Sequence, residues 1–374
     1  MSILVLAFAL MTAQPPAAPP DPMAQASAHL DAGRYVEAVA ILKELAEKEP
    51  TDVAVMFNLA LARTLAGQDR EAIDGFRRVL TLKADLREAQ VNLGQLLIKT
   101  EQYEDAIPLL EAATVSKPDE SKAHYLLGRA LAGRQRWARA AAEMEKAAEL
   151  EPKNSELKLE LAGLFEKALM PDKAAAMYKL FEDDPAARER LGLLQMNKGE
   201  FAQAIQNLEA ARAKSPTPGL LYALATAYLR NQQQDKATVV ALDLVALEPG
   251  NIEMRMFLGR LLRDQKRYDE AAKQFYAVTQ AKADSGEAWN ELTSMLILLK
   301  RYEPALAALE RSKAINGETP AYHYFRAIML DASMQIRPAL ESYKQFLAVS
   351  EGKYPDEEFK ARQRVKVLGK AVNK

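Results

Sequence analysis

The 374-residue chain has no Cys, three His and two Trp. Without Cys there can be no disulfide, no thiolate metal site and no Cys nucleophile. His29, His124 and His323 are too few and too far apart for a His-built metal centre, so no metal or cofactor is expected. Charge of one sign is also missing. Lys and Arg number 50 against 51 Asp and Glu, a formal net charge of -1, which argues against a general nucleic-acid binder. No apolar run reaches the ~20 residues a spanning helix needs. Phosphate-cradling Gly-rich loops, a His-Glu-x-x-His pair and a Gly-x-Ser-x-Gly elbow are all absent. What is present is an apolar fraction of 49%, ample for a core.

Residues 1–20 carry no charged side chain. Ile3 to Met11 is an apolar run of signal-peptide length, and Gln14 to Pro20 is rich in Pro and Ala. The segment is expected to direct export, leaving a mature chain that does not span a membrane. If it is not a signal, the chain is cytoplasmic.

The main feature is an internal period. A small residue recurs as Ala38, Ala72, Ala106, Ala140, Ala174, Ala204, Ala237, Ala271, Ala305 and Ala339. The steps are 34 residues except for 30 between Ala174 and Ala204 and 33 between Ala204 and Ala237. Three residues before it stand Tyr35, Tyr103, Trp137, Phe201, Tyr268 and Tyr302 in six copies. These aromatics are expected in the core, not on a base-stacking platform. Twelve residues after it come Pro50, Pro118, Pro152, Pro216 and Pro249, which stop a helix. Twelve before it come Ala26, Ala60, Gly94, Gly128, Ala162, Gly192, Ala225 and Gly259. Each unit therefore reads as two helices and a tight turn. In the third, Ala89, Leu93, Leu96 and Leu97 form the apolar stripe of the first helix. The aligned Ala lies where the two helices touch, and Gly94 and its equivalents admit the second helix closely. Pro304 and Pro338 fall in the first turn of second helices, where Pro is tolerated.

This pattern resembles the tetratricopeptide repeat family, for example in Leu127–Gly128, Trp137, Ala140 and Pro152, and in Leu258–Gly259, Tyr268, Ala271 and Phe275. The resemblance covers about residues 22–350. It implies an all-α, right-handed superhelical solenoid of about ten helix-turn-helix repeats, with first helices on the concave face and second helices on the convex one. The expected organisation is a leader at 1–20, repeats one to five at 21–184, repeats six to ten at 185–350 and a C-terminal capping helix at 351–374. The short step near Phe181–Pro185 predicts a shortened second helix there. It marks either a hinge or a harmless deletion.

The last segment opens with Pro355, Asp356, Glu357 and Glu358 and carries the stripe Ala361, Val365, Leu368 and Val372. It reads as a solvating cap, the alternative being a basic surface for an acidic partner or lipid headgroups.

Chemistry is sparse. His124 and His323 are expected to pack, because no nucleophile or carboxylate recurs beside them. Asp183 and Asp184 read as a helix end. What remains is a groove lined by first-helix residues outside the apolar stripe: Asn58, Asn92, Gln95, Lys99, Lys122, Tyr125, Arg129, Tyr222, Arg230, Arg260, Arg263, Asn290 and Tyr324. Asn can hydrogen-bond a peptide backbone, Arg and Lys can hold carboxylates, and Tyr offers contact area at low entropic cost. Some relatives hold a C-terminal carboxylate between two Asn and several basic side chains; that set is incomplete here. The expectation is a non-enzymatic scaffold that binds segments or helices of partner proteins, in an envelope or secretion-related complex. The alternatives are a regulatory or substrate-presenting subunit of a separate enzyme, or an envelope-polysaccharide accessory. Partner identity and oligomeric state stay open.

Overall fold

The computed structural model describes residues 21–372, so the expected export segment lies outside the described residues. Among the described residues there are 21 α-helices and no strand. The first five pairs are α1 (Pro22–Asp31) with α2 (Tyr35–Lys48), α3 (Val53–Leu65) with α4 (Asp69–Leu82), α5 (Arg87–Lys99) with α6 (Tyr103–Ser116), α7 (Ser121–Gly133) with α8 (Trp137–Leu150), and α9 (Ser155–Lys167) with α10 (Pro171–Tyr178). The next three are α11 (Pro185–Asn197) with α12 (Phe201–Lys214), α13 (Pro218–Arg230) with α14 (Gln234–Leu247), and α15 (Ile252–Asp264) with α16 (Tyr268–Ala281). Two more, α17 (Gly286–Leu298) with α18 (Tyr302–Asn316) and α19 (Pro320–Ala332) with α20 (Ile336–Val349), precede a single α21 (Pro355–Val372). The chain divides into two compact units, one ending at Met177 and one beginning at Tyr178.

The period explains the packing. All ten aligned alanines, Ala38 to Ala339, have no exposed surface. Each sits where the second helix meets its partner, and a larger side chain would have nowhere to go. Across the contact, a Cβ added to Gly94 would lie 2.7 Å from Leu110, and one added to Gly192 would lie 2.7 Å from Leu208. Only a residue without a side chain allows those helices to touch. The stripe of α5 is buried as expected, at Ala89, Leu93, Leu96 and Leu97. Pro50, Pro118, Pro152, Pro216 and Pro249 each follow the last residue of a second helix by two. Pro304 and Pro338 lie in the first turns of α18 and α20.

The turn inside every pair is the same. Its fifth residue before the aligned Ala has positive φ: Gly33, Gly67, Glu101, Gln135, Leu169, Gly199, Gln232, Lys266, Lys300 and Met334. The following N–H donates back to a carbonyl five residues earlier, as from Arg34 to His29 (2.9 Å) and from Gln233 to Tyr228 (2.8 Å). That is the Schellman closure of a helix end. It satisfies carbonyls that would otherwise be orphaned and points the chain into the next helix.

Caps divide between the two helix types. First helices α3, α9, α11, α13, α15, α17 and α19 begin at Asp52, Asn154, Asp184, Thr217, Asn251, Ser285 and Thr319, whose side chains accept backbone N–H bonds. Asp184 is thus a helix N-cap, accepting from Ala186 (2.8 Å) and Ala187 (3.0 Å). The expected shortened helix is α10, with 8 residues where α8 and α12 have 14.

In the second unit one core runs from Leu208 to Met329, and another joins α19, α20 and α21 through Ala327, Tyr343, Phe346, Ala361 and Leu368. The final helix is docked by its Ala361 and Leu368 stripe and by Arg364, which bonds both carboxylate oxygens of Asp331 at 2.7 Å. Tyr35, Tyr103, Trp137, Phe201, Tyr268 and Tyr302 are half-buried, not buried as expected. They open second helices, where part of each ring stays in solvent.

Candidate functional site

The groove candidates lie on first helices, and their fate depends on what the next repeat offers. In the first unit, α5 and α7 run side by side. Their side chains outside the apolar stripe enclose a cavity of about 690 Å³. Asn92, Gln95 and Lys99 of α5 line it, facing Lys122, Tyr125 and Arg129 of α7. Thr64, Glu101 and Tyr103 also line it, and Leu96, Ile98 and Leu126 form apolar wall. An adjoining cavity of about 380 Å³ shares Lys122 and Tyr125 and continues to Glu151, Asn154, Glu156 and Glu160.

The two cavities differ in charge. The first is basic. Lys99 Nζ lies 2.7 Å from an Asp69 oxygen. Lys122 makes no hydrogen bond or ion pair with the described residues. The Arg129 guanidinium lies 5.8 Å from the centre of the Tyr125 ring and 4.0 Å from Glu160. The second cavity is acidic. Burial and then the Glu160 carboxylate push the Tyr125 phenol up, with Arg129 opposing. The phenol therefore stays a neutral donor and acceptor between a cation and an anion. Asn92 donates to the Glu88 carbonyl at 2.8 Å, which orients its amide along the helix.

The other candidates are not gathered. Asn58 reaches Met23 Sδ at 3.7 Å, away from the cavity. In the second unit Tyr222 packs on Phe257, with ring centres 5.1 Å apart. Arg260 is held by Glu287 (2.5 Å) and Arg263 by Glu291 (2.6 Å) and Asp264 (3.0 Å). Arg230 is exposed at the end of α13. Asn290 accepts the Ser312 hydroxyl at 2.5 Å and lines a polar pocket of about 260 Å³ with Thr293, Ser312 and Asn316. Tyr324 is half-buried against Phe346, 4.9 Å between ring centres.

His124 and His323 pack as expected, but each has a carboxylate beside it, contrary to expectation. His124 is buried, with Nδ1 2.7 Å from Glu143 and Nε2 3.0 Å from the Pro118 carbonyl. His323 is buried, with Nε2 3.5 Å from Glu318. Among the described residues no group of three or more His, Cys, Asp or Glu could hold a metal.

Sequence reasoning overlooked two features. One is the acidic half, Glu151, Glu156 and Glu160; the chain shows these acids but not that the end of α8 and the start of α9 set them in one cavity with Tyr125. The other is an outer cleft of about 490 Å³ between α16 and α18, lined by Tyr276, Trp289, Leu292, Leu296 and Pro304. The same arrangement recurs between α4 and α6, over Leu93 and Leu97.

Repeated hairpins of this length and geometry have a family counterpart. Two tetratricopeptide repeat models match the chain, one at residues 91–155, 189–251 and 222–286 and the other at residues 29–85 and 262–328. The chain belongs to the tetratricopeptide repeat family. Among solved structures, the C-terminal part of a tetratricopeptide repeat-containing protein from Cytophaga hutchinsonii is 18% identical, over 62% of this chain and 97% of that one, with a TM-score of 0.50. The Naa15/Naa10 complex bound to HypK-THB is 14% identical, over 92% of this chain and 65% of that one, with a TM-score of 0.51. MamA from Desulfovibrio magneticus RS-1, from residue 41 of that protein onward, is 28% identical over 42% of this chain and 89% of that one, with a TM-score of 0.41. No curated protein matches this chain. The tetratricopeptide assignment supports an interaction scaffold, and the α5–α7 cavity brings six of the groove candidates together.

Proposed function

We propose that this tetratricopeptide repeat chain is a non-catalytic scaffold that binds an extended segment of a partner protein in the α5–α7–α9 groove. The observation that carries the reading is the convergence of Asn92, Gln95, Lys99, Lys122, Tyr125 and Arg129 on one cavity. Residues on stacked helices form a wall that is ordered before binding, so little receptor entropy is lost. The charge order defines the ligand. Acidic side chains or a terminal carboxylate suit Lys122 and Arg129, Lys99 being paired with Asp69, and a basic residue further along suits Glu156 and Glu160.

The reading sets the chain in an envelope or secretion-related assembly, supported by the apolar run Ile3 to Met11. A reporter fused to residues 1–25 tests that setting, and cytoplasmic retention counts against it. The binding function is tested by screening the full chain against a peptide library. Peptides with an acidic block followed by a basic residue are expected to be retained and to be released by Tyr125→Ala together with Arg129→Glu. Equal retention by that double variant would refute the groove.

A further inference from the structure

The second candidate surface is the outer face of α21. From Phe359 onward the chain carries Lys360, Arg362, Arg364, Lys366, Lys370 and Lys374 and no Asp or Glu, in a protein of net charge -1. Two of these cations are used internally. Arg362 bonds Glu358 at 2.6 Å, and Arg364 bonds Asp331. The inner face of the helix, with Glu358, Ala361 and Leu368, is buried against the last repeat. Helical periodicity puts Phe359, Gln363, Lys366, Val367 and Lys370 on the opposite face, with Lys360 at its edge. Phe359 is 63% exposed and Val367 54% exposed. Lys360, Lys366 and Lys370 make no ion pair with the described residues. Lys370, in the last turn, complements the helix dipole. Lys360 and Lys366 stand in mid-helix, away from the last turn, and the Phe359 next to Lys360 is exposed.

We infer that this ridge is an attachment surface for a bilayer rich in anionic lipid. The lysines meet headgroup phosphates, and Phe359 and Val367 enter the boundary between headgroups and acyl chains. A bilayer is favoured over an acidic protein by shape. The face is the convex side of one helix, with apolar side chains standing between lysines. A protein partner would need a furrow lined by apolar and acidic groups to match it, whereas a fluid headgroup layer adapts. Two apolar anchors are too few for deep insertion, so attachment is reversible and falls with salt. No helix among the described residues is long and apolar enough to cross a membrane, so contact through this ridge is superficial.

The test is co-sedimentation of the full chain with vesicles of phosphatidylcholine alone and of an equal mixture with phosphatidylglycerol, at low and high salt. Three lysines near an anionic surface are expected to give about 100-fold stronger partitioning onto the mixed vesicles at low salt. The triple change Lys360→Glu, Lys366→Glu and Lys370→Glu should abolish it. Phe359→Ser, which leaves charge unchanged, should weaken it several-fold. All four side chains are exposed, and unchanged thermal unfolding by circular dichroism confirms that the variants fold. Equal binding to both vesicle types, no binding to mixed vesicles at low salt, or full binding by the triple variant would overturn the inference. So would tight binding of a polyglutamate peptide that Phe359→Ser leaves intact while vesicles are not bound, which would make the ridge a docking site for acidic protein.

Discussion

Gly259 stands so close to Phe275 that a Cβ there would lie 2.6 Å from the ring Cε1. Phe275 is fully buried and has no room to turn aside. Gly259→Ala gains about 1 kcal/mol of helix propensity but overpacks the contact by about 1–3 kcal/mol. The net expected effect is destabilisation of up to about 2 kcal/mol. Gly163 in α9 is the control, since nothing lies within 4 Å of an added Cβ. Gly163→Ala should stabilise by about 0.5–1 kcal/mol. Urea midpoints of the two variants against the parent check both signs.

The turn geometry makes a second prediction. Leu169 holds φ 57° and is largely exposed, so its side chain contributes little packing there. A left-handed conformation costs a non-Gly residue about 1–2 kcal/mol, partly offset by the greater chain entropy of Gly when unfolded. Leu169→Gly should therefore raise stability by about 0.5–1 kcal/mol. Gly67→Ala, with φ 73° at the equivalent site, should lower it by a similar amount. Thermal unfolding of the two variants should shift in opposite directions.

These two cases show where the sequence is legible. Ala38 to Ala339, the glycines opposite them and the proline stops are visible because packing at a helix contact admits few residue types. The left-handed turn is not visible, because seven of its ten positions are occupied by Glu, Gln, Leu, Lys or Met. The Schellman bonds and the packed hairpin hold the backbone there, and the side chain points to solvent, so almost any residue is accepted. The groove is legible only in part. Arg129 and Arg260 hold the same place in their repeats and look equivalent in the chain. Both have a Glu 27 residues further on, and what separates them is whether it closes: Glu287 bonds Arg260 at 2.5 Å, whereas Arg129 pairs not with Glu156 but with Glu160, at 4.0 Å. No local pattern reports a neighbour one repeat away.

Tyr228 supplies a pH dependence. Burial, and then its hydrogen bond to Glu209 at 2.8 Å, push the phenol from the ordinary 10.0 to about 12, with Arg212 opposing. The unfolded chain thus releases this proton first. The contribution to stability is complete below pH 10 and is lost as pH rises from 10 towards 12. Tyr228→Phe should remove this part of the alkaline decline, seen as unfolding by circular dichroism at stepped pH. A tyrosinate absorbance titration of the same variant should lose one residue from the step near 12 and none from the step near 10.

The difference in pairing among the candidate cations gives the sharpest prediction for binding. Lys122 lines the α5–α7 cavity and pairs with none of the described residues, so its charge is available to a ligand. Arg260 already satisfies Glu287, and a ligand carboxylate would have to displace that pair. An acidic peptide selected on the full chain should lose about 5–10-fold in affinity on Lys122→Ala, about the worth of one charge-assisted contact. Arg260→Ala should change affinity less than about twofold, since an exposed ion pair is worth little and its loss does not reach the ligand. The salt dependence should separate them further. Lys122→Ala flattens the fall of affinity with ionic strength because one screened attraction is gone, and Arg260→Ala leaves the slope as it was. Calorimetric titrations at two salt concentrations measure both quantities, and a larger loss from Arg260→Ala than from Lys122→Ala would move the binding surface to the second unit.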